Sequence, residues 1–159
     1  MARLYANWVH GTSVHMQREG YFISKYRAGY GAHFASHNPP LDGKLEGEWF
    51  HFAIPTPVII ANQRCSLNAV AVLFKTELTA KITAIHLYDA GKDLRRFSNL
   101  SVAGDHTGGM GPSNTWNLSP PGVMYHGLDI CVHVDFGPAT EAGVPGIWFM
   151  AAGAHFYLE

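Results

Sequence analysis

The sequence predicts an all-β protein: a single-domain antiparallel β-sandwich, jelly-roll-like, or a closed barrel, with about eight strands and little helix. Three observations carry that prediction. Glycine (17) and proline (9) punctuate the 159-residue chain at short intervals. Between them lie short runs rich in Val, Ile, Phe, Tyr and Trp, the composition of strands. Several of those runs alternate apolar and polar residues with a period of two, so each has an oily and a wetter face.

Taken in order, strands are expected at 4–9, 13–16, 21–27 and 47–54. In EWFHFAIP, Phe50, Phe52 and Ile54 oppose Trp49 and His51. The segment ANQRCSLNAVAVLFKTEL (61–78) has a helical rival, because Leu67, Ala71, Phe74 and Leu78 fit a helical stripe. Val70, Val72 and Phe74 fit a strand better, with β-branched residues at alternate positions, so a strand is predicted at 67–75. The next is at 81–89, in KITAIHLYDAG. Parity puts Ile82, Ala84, His86 and Tyr88 on one face and Thr83, Ile85, Leu87 and Asp89 on the other. Ile85 and Leu87 mark the core face, which turns His86 and Tyr88 outward. GKDLRRF (91–97) reads as a solvated turn, and 104–122 as a long Gly- and Pro-rich loop of the kind that often carries function. The last strands are expected at 129–136 and 146–157. In DICVHVDFG, Ile130, Val132, Val134 and Phe136 share one face; Cys131, His133 and Asp135 share the other. If the wetter faces meet, they form a semi-polar surface of His51, His86, Tyr88, His133 and Asp135.

The length suits one domain, expected over 1–157, with Leu158-Glu159 set aside as a cloning scar. Charged residues are 14% of the chain, well under the usual quarter, and the net charge is -1. No basic stripe exists, so nucleic acid is excluded as a partner. A surface so poor in charge favours a homo-oligomer. MARLYANWVHG has no apolar leader core, and no apolar run is long enough to span a bilayer; the expected location is cytoplasmic, with no membrane partner. Cys65 and Cys131 lack a CxxC context and read as two thiols.

Ten histidines beside twelve carboxylates is an unusual ratio. Histidine titrates near neutrality, which suits acid–base work and metal ligation. No HExxH and no closely spaced histidine pair occurs. His33 and His37 share a strand face but sit too far apart to chelate directly, so no metal is expected. GGMG (108–111) lacks the lysine of a phosphate loop, and GYGAHF lacks the third glycine of a dinucleotide fold. No cofactor is expected, and no nucleophile elbow is present. For acid–base catalysis the candidates are His86, Tyr88, His51, Asp105 and His106. For ligand binding they are Trp116, Asn114, Asn117, Trp49 and His133. Of the four tryptophans, Trp116 lies in the polar loop between Asn114 and Asn117, where indole and amides together suit a hydroxyl-rich or aromatic ligand.

The motifs WVHGTSV, WFHFAIPTPVI, ITAIHLYD, GDH…NTW, GLDICVHVDFG and AAGAHF, in this order, resemble a largely uncharacterised family of small microbial all-β proteins. The resemblance runs from Trp8 to Phe156. It implies a sandwich-like single domain and a strand at 67–75, and it brings no catalytic residues. The family pattern has GLGISVGV where this chain has GLDICVHV, so Asp129, Cys131 and His133 are departures.

Three functions follow in order of expectation. The first is a module that binds a small organic molecule or carbohydrate. The second is a cofactor-free isomerase, cyclase, lyase or dehydratase, which needs only a shaped pocket and one or two tuned acid–base groups. The third is a structural or assembly protein.

Overall fold

The computed structural model describes residues 3–36 and 47–158. In chain order its strands are β1 (Arg3–His10), β2 (His15–Met16), β3 (Ser24–Ala28), β4 (Gly31–Ala35), β5 (Glu48–Ile54), β6 (Ile59–Ile60), β7 (Gln63–Arg64), β8 (Ser66–Glu77), β9 (Lys81–Asp89), β10 (Lys92–Phe97), β11 (Asp105–His106), β12 (Thr115–Val123), β13 (Leu128–Asp135) and β14 (Gly146–Leu158). Two single turns of 3₁₀ helix, Gly11–Ser13 and Glu19–Tyr21, are the only helical segments among the described residues. The fold is all-β and sandwich-like, with fourteen strands among the described residues rather than eight.

Two antiparallel sheets share one core. In the larger, the long strands β8 and β14 lie side by side. The far edge of β14 is shared end to end by β4 and β1, and β3 lies outside β4. The far edge of β8 is shared by β11 and β12. The second sheet runs β10-β9-β13-β5-β2. A small hairpin of β6 and β7 forms a ladder of its own, with Ile60 packed against the core.

The alternation that predicts the strands also builds the core. Phe50, Phe52 and Ile54 on β5 and Ile130, Val132 and Val134 on β13 all point inward and are buried. Phe34, Phe149 and Phe156 meet them from the larger sheet. Phe50 lies with ring centroids 4.9 Å from Phe34 and 5.0 Å from Phe149, so the two sheets touch through aromatic contacts. Each such side chain contributes about 1.5–3 kcal/mol on burial. Backbone approach is close where β1 ends: a Cβ on Gly11 would fall 1.9 Å from the Phe149 carbonyl oxygen. Opposite Trp8, a Cβ on Gly153 would fall 2.2 Å from the indole, so the ring lies flat over the glycine.

The structure departs from the expected elements in several places. The segment 13–16 begins as the 3₁₀ turn Gly11–Ser13, and only His15–Met16 pairs. The segment 21–27 is a strand only from Ser24. GKDLRRF is a strand, β10, not a turn, with Leu94 and Phe97 packed against the core. Part of the expected loop 104–122 is also strand, in β11 and β12. β12 accommodates Pro120 and Pro121 because it is an edge strand and its register breaks between Asn117 and Gly122. β14 continues through Leu158, which is buried and opposite Arg3, so Leu158 belongs to the packed fold.

Parity in β9 is interrupted. Against β13, Ala84 pairs with His133 but Ile82 pairs with Val134, so Thr83 is an extra, bulged residue. The bulge returns Ile82 to the inner face beside Ile85 and Leu87, and all three are buried. His86 and Tyr88 face outward, as expected.

Candidate functional site

The outer face of the five-stranded sheet carries the strongest concentration of chemistry. Register places Arg96, His86, Cys131, His51 and His15 in one row across five strands, each opposite the next. One row along, Asp93, Tyr88 and Asp129 are opposite one another. On the other side, His133 is opposite both Ala84 and Trp49. These neighbours arise because each strand buries its apolar set, which forces the polar set into one continuous outer layer.

A pocket of about 310 Å³ lies in this layer. Trp49 and Tyr88 supply its rings; His51, His86, Gln17 and Arg96 supply polar groups, and Cys131 also lines it. The volume is at the small end of ligand sites, about 300–1,000 Å³. Two further clefts of about 360 Å³ each are comparable in size. One is lined largely by β10 and the Pro120–Tyr125 segment, the other by Met110, Pro112, Thr115 and Asn117. Chemistry rather than size therefore distinguishes the first pocket: it alone among the three holds histidine, cysteine and tryptophan.

Trp49 is flanked by two imidazoles, with ring centroids 4.6 Å from His86 and 4.9 Å from His133. His133 Nδ1 lies 2.6 Å from Thr83 Oγ1, the hydroxyl of the bulged residue. The backbone N–H of Gln17 donates to the Trp49 carbonyl at 2.9 Å, which ties Gln17 to the pocket rim. Across the pocket, Arg96 donates to Asp93 Oδ2 and to the Tyr88 hydroxyl oxygen at 3.3 Å. Burial, then the Arg96 charge, hold the His86 pKa below the ordinary imidazole value against the opposing pull of Asp93. Its surroundings therefore favour the neutral imidazole over the charged form.

His51 Nδ1 lies 3.0 Å from Asp129 Oδ2, and His51 Nε2 lies 3.1 Å from Gln17 Oε1. The Cys131 thiol donates to the same Asp129 Oδ2 at 3.4 Å. Burial, with the neighbouring Asp129 charge, pushes that thiol up to about 12, so it is protonated at neutral pH.

Comparison with models of known families, with curated proteins and with solved structures finds no match.

Of the ten candidates the sequence singles out, the structure brings His51, His86, Tyr88, Trp49 and His133 together here. The other five lie elsewhere. Trp116, on the edge strand β12 of the larger sheet, points into the shared core. Asn114 is buried, and its side chain is spent on the loop: Nδ2 donates to the carbonyls of Val72, His106 and Gly109, and Oδ1 accepts from the Gly111 N–H. Asn117 is exposed on the cleft with Met110. Asp105 accepts from both the N–H and the hydroxyl of Thr107, which holds its carboxyl below the ordinary value. His106 packs on Phe74 and meets the Ala103 carbonyl at 2.9 Å. Asp135 ends β13 and accepts from the Gly137 N–H. His33 faces Glu77 at 2.8 Å, and His37 lies outside the described residues.

Gln17, Arg96, Asp129 and Cys131 are the residues that strand-by-strand reading leaves out of the site. For Arg96 the signal is partial: its neighbour Phe97 puts it on the face opposite that ring, but Leu94 is out of phase, because the register shifts between Asp93 and Arg95. Gln17 has no such signal, because only the register of β2 beside β5 brings it near.

Proposed function

We propose that this protein binds a small polar organic molecule, of monosaccharide size, in the pocket on the outer face of the five-stranded sheet. The observation that carries the reading is the pairing of an aromatic wall with convergent hydrogen-bonding groups. Trp49 offers an indole beside the opening, and His86, His51, Gln17, Tyr88 and Arg96 surround it with donors and acceptors. An apolar ring face with a few placed polar groups is the usual composition of a small-molecule site. A sugar ring uses both, its C–H face on the indole and its hydroxyls on the imidazoles, amide and guanidinium. The volume of about 310 Å³ limits the bound portion to one such ring.

Isothermal titration of monosaccharides and small aromatic alcohols against the full chain tests this. A binder should lose at least about tenfold in affinity, or about 1.4 kcal/mol, in Trp49→Ala. The reading fails if neither class binds, or if the affinity of every binder is unchanged in Trp49→Ala.

A further inference from the structure

Asp129 has one oxygen whose role the hydrogen bonds around it do not explain. Oδ2 is approached by His51 Nδ1 at 3.0 Å and by Cys131 Sγ at 3.4 Å. Oδ1 is buried and has no hydrogen-bond partner among the described residues. A buried carboxylate oxygen without a donor is costly, and such an atom calls for an explanation.

An ion held by both carboxylate oxygens would satisfy Oδ1, and the surroundings of Oδ2 supply its other ligands. The His, Asp and Cys ligand atoms all lie within 4.8 Å of one another. In a tetrahedral zinc site, ligand distances of about 2.0–2.3 Å make the ligand–ligand edges about 3.3–3.6 Å. The observed 3.0 and 3.4 Å contacts are already close to those edges. The third pair, the His51 nitrogen and Cys131 Sγ, lies within 4.8 Å, so side-chain rotation has to close that edge by at most about 1–1.5 Å. The frame is stiff, because His51 and Cys131 are opposite one another on adjacent central strands, and Asp129 is two residues along the same face of β13. His51 is also oriented from behind. The tautomer that donates Nε2–H to Gln17 Oε1 leaves an Nδ1 lone pair aimed at Asp129. An outer hydrogen bond of this kind is what fixes a metal-ligating histidine.

We propose that His51, Asp129 and Cys131 form a metal site of the zinc class, with three protein ligands and a fourth position directed to the pocket. One nitrogen, one carboxylate oxygen and one thiolate sulfur are a borderline-to-soft donor set, suited to Zn²⁺ and unsuited to Mg²⁺ or Ca²⁺. On coordination the Cys131 S–H bond breaks and its proton passes to solvent; no electron is transferred. Thiolate and carboxylate together then balance the charge of the dication, so the half-buried site is neutral. Arg96, the cation of the pocket, is engaged by Asp93 and Tyr88.

The full chain, stripped with chelator, is titrated with ZnCl₂ by calorimetry and with Co²⁺ by absorbance, with no organic ligand present. The result is thus independent of whether the pocket binds sugars. One ion per chain is expected, with a sulfur-to-cobalt charge-transfer band and the intense visible bands of four-coordinate cobalt. Cys131→Ser should abolish the charge-transfer band. Asp129→Asn and His51→Gln should each weaken zinc binding by more than the roughly 10–100-fold expected for the orienting Gln17→Ala. His15→Gln, in the same row but outside the trio, should bind like the wild type. Circular dichroism of each metal-free variant reports whether it folds. The wild-type cobalt spectrum decides the question even if a variant does not fold: absence of the thiolate band overturns the proposal. Stoichiometric zinc binding that persists in folded Cys131→Ser and His51→Gln overturns it too, since other histidines would then be the ligands.

Discussion

Asp89, the last residue of β9, is 2% exposed and receives three backbone hydrogen bonds of 2.8 Å, from the N–H groups of Tyr125, His126 and Gly127. Burial is the largest single influence on its carboxyl and acts upward. The three N–H bonds together outweigh it, and the pKa lies below the ordinary carboxylate value. A depressed native pKa stabilises the fold above the unfolded value, about 3.9, and that stabilisation fades as pH falls through the native pKa. Asp89→Asn keeps the shape but removes the charge from bonds worth more when charge-assisted, so it should cost about 2 kcal/mol at pH 7. Urea unfolding at pH 7 and pH 3 should show the variant losing less stability between those values than the wild type. An equal loss in both proteins would mean that Asp89 is not the titrating group. Single residues also show what sequence could and could not reveal. His51, His86 and Tyr88 are legible as outward residues, because each is next to large apolar residues, Phe50 and Phe52 or Ile85 and Leu87, that are buried and so take the inner face. Trp116 and Asn114 read as ligand groups for the opposite reason: their segment is rich in Gly and Pro. A loop rich in such residues can equally be pinned by one buried amide, and Asn114 does that with four hydrogen bonds to backbone groups.

At the scale of elements, strands with a clean apolar face are legible and those without one are not. β5 and β13 each carry three or more large apolar residues at alternate positions, and both form where expected. β4 is missed because Gly31, Ala32 and Ala35 give it little apolar bulk, although Phe34 is fully buried. β10 is missed because its charges mask Leu94 and Phe97. The bulge at Thr83 is invisible to parity, since it arises from how β9 meets β13. The β9–β10 hairpin offers a test of local strain. Asp89 pairs with Lys92, so the connection is two residues, and its first residue, Ala90, has φ 51°. That is the left-handed region, where a Cβ costs about 1–2 kcal/mol and glycine is favoured at the first central position of a two-residue hairpin. Ala90 is exposed, so no packing is lost on substitution. Ala90→Gly should therefore raise stability by about 0.5–1 kcal/mol after the entropy gained by the unfolded chain is deducted. The urea midpoint should rise with the slope unchanged. A lower midpoint would show that the strain at Ala90 is smaller than the entropy term.

The whole molecule is closed by strands from opposite ends of the chain. β1 pairs with β14 from Arg3 opposite Leu158 to His10 opposite Ala151. β14 also runs the length of β8, so the last strand in sequence is central in the larger sheet. Its inner face contributes Ile147, Phe149, Ala152, Ala154 and Phe156 to the shared core, and Phe149 contacts both Phe50 and Phe52 of the other sheet. No sequence pattern announces this order, because alternation identifies a strand's faces and not its neighbours. The consequence is a fold that no contiguous part of the chain before residue 146 completes. A chain ending at residue 145 would leave β8 without its main partner, β1 without its ladder, the β3–β4 hairpin detached from β8, and Phe50 and Phe52 without Phe149. It should show no cooperative thermal transition and no near-ultraviolet circular dichroism. The full chain should unfold in one step, with near- and far-ultraviolet signals coincident, as one core shared by both sheets requires. Its refolding should be slow for its size, in milliseconds to seconds, because the pairings that close the sheets join residues far apart in sequence. Two separable transitions in the full chain, or a cooperative transition in the truncated one, would mean that the five-stranded sheet and its pocket stand without β14. A stable fragment of that kind would make the larger sheet a platform for the site rather than half of its core.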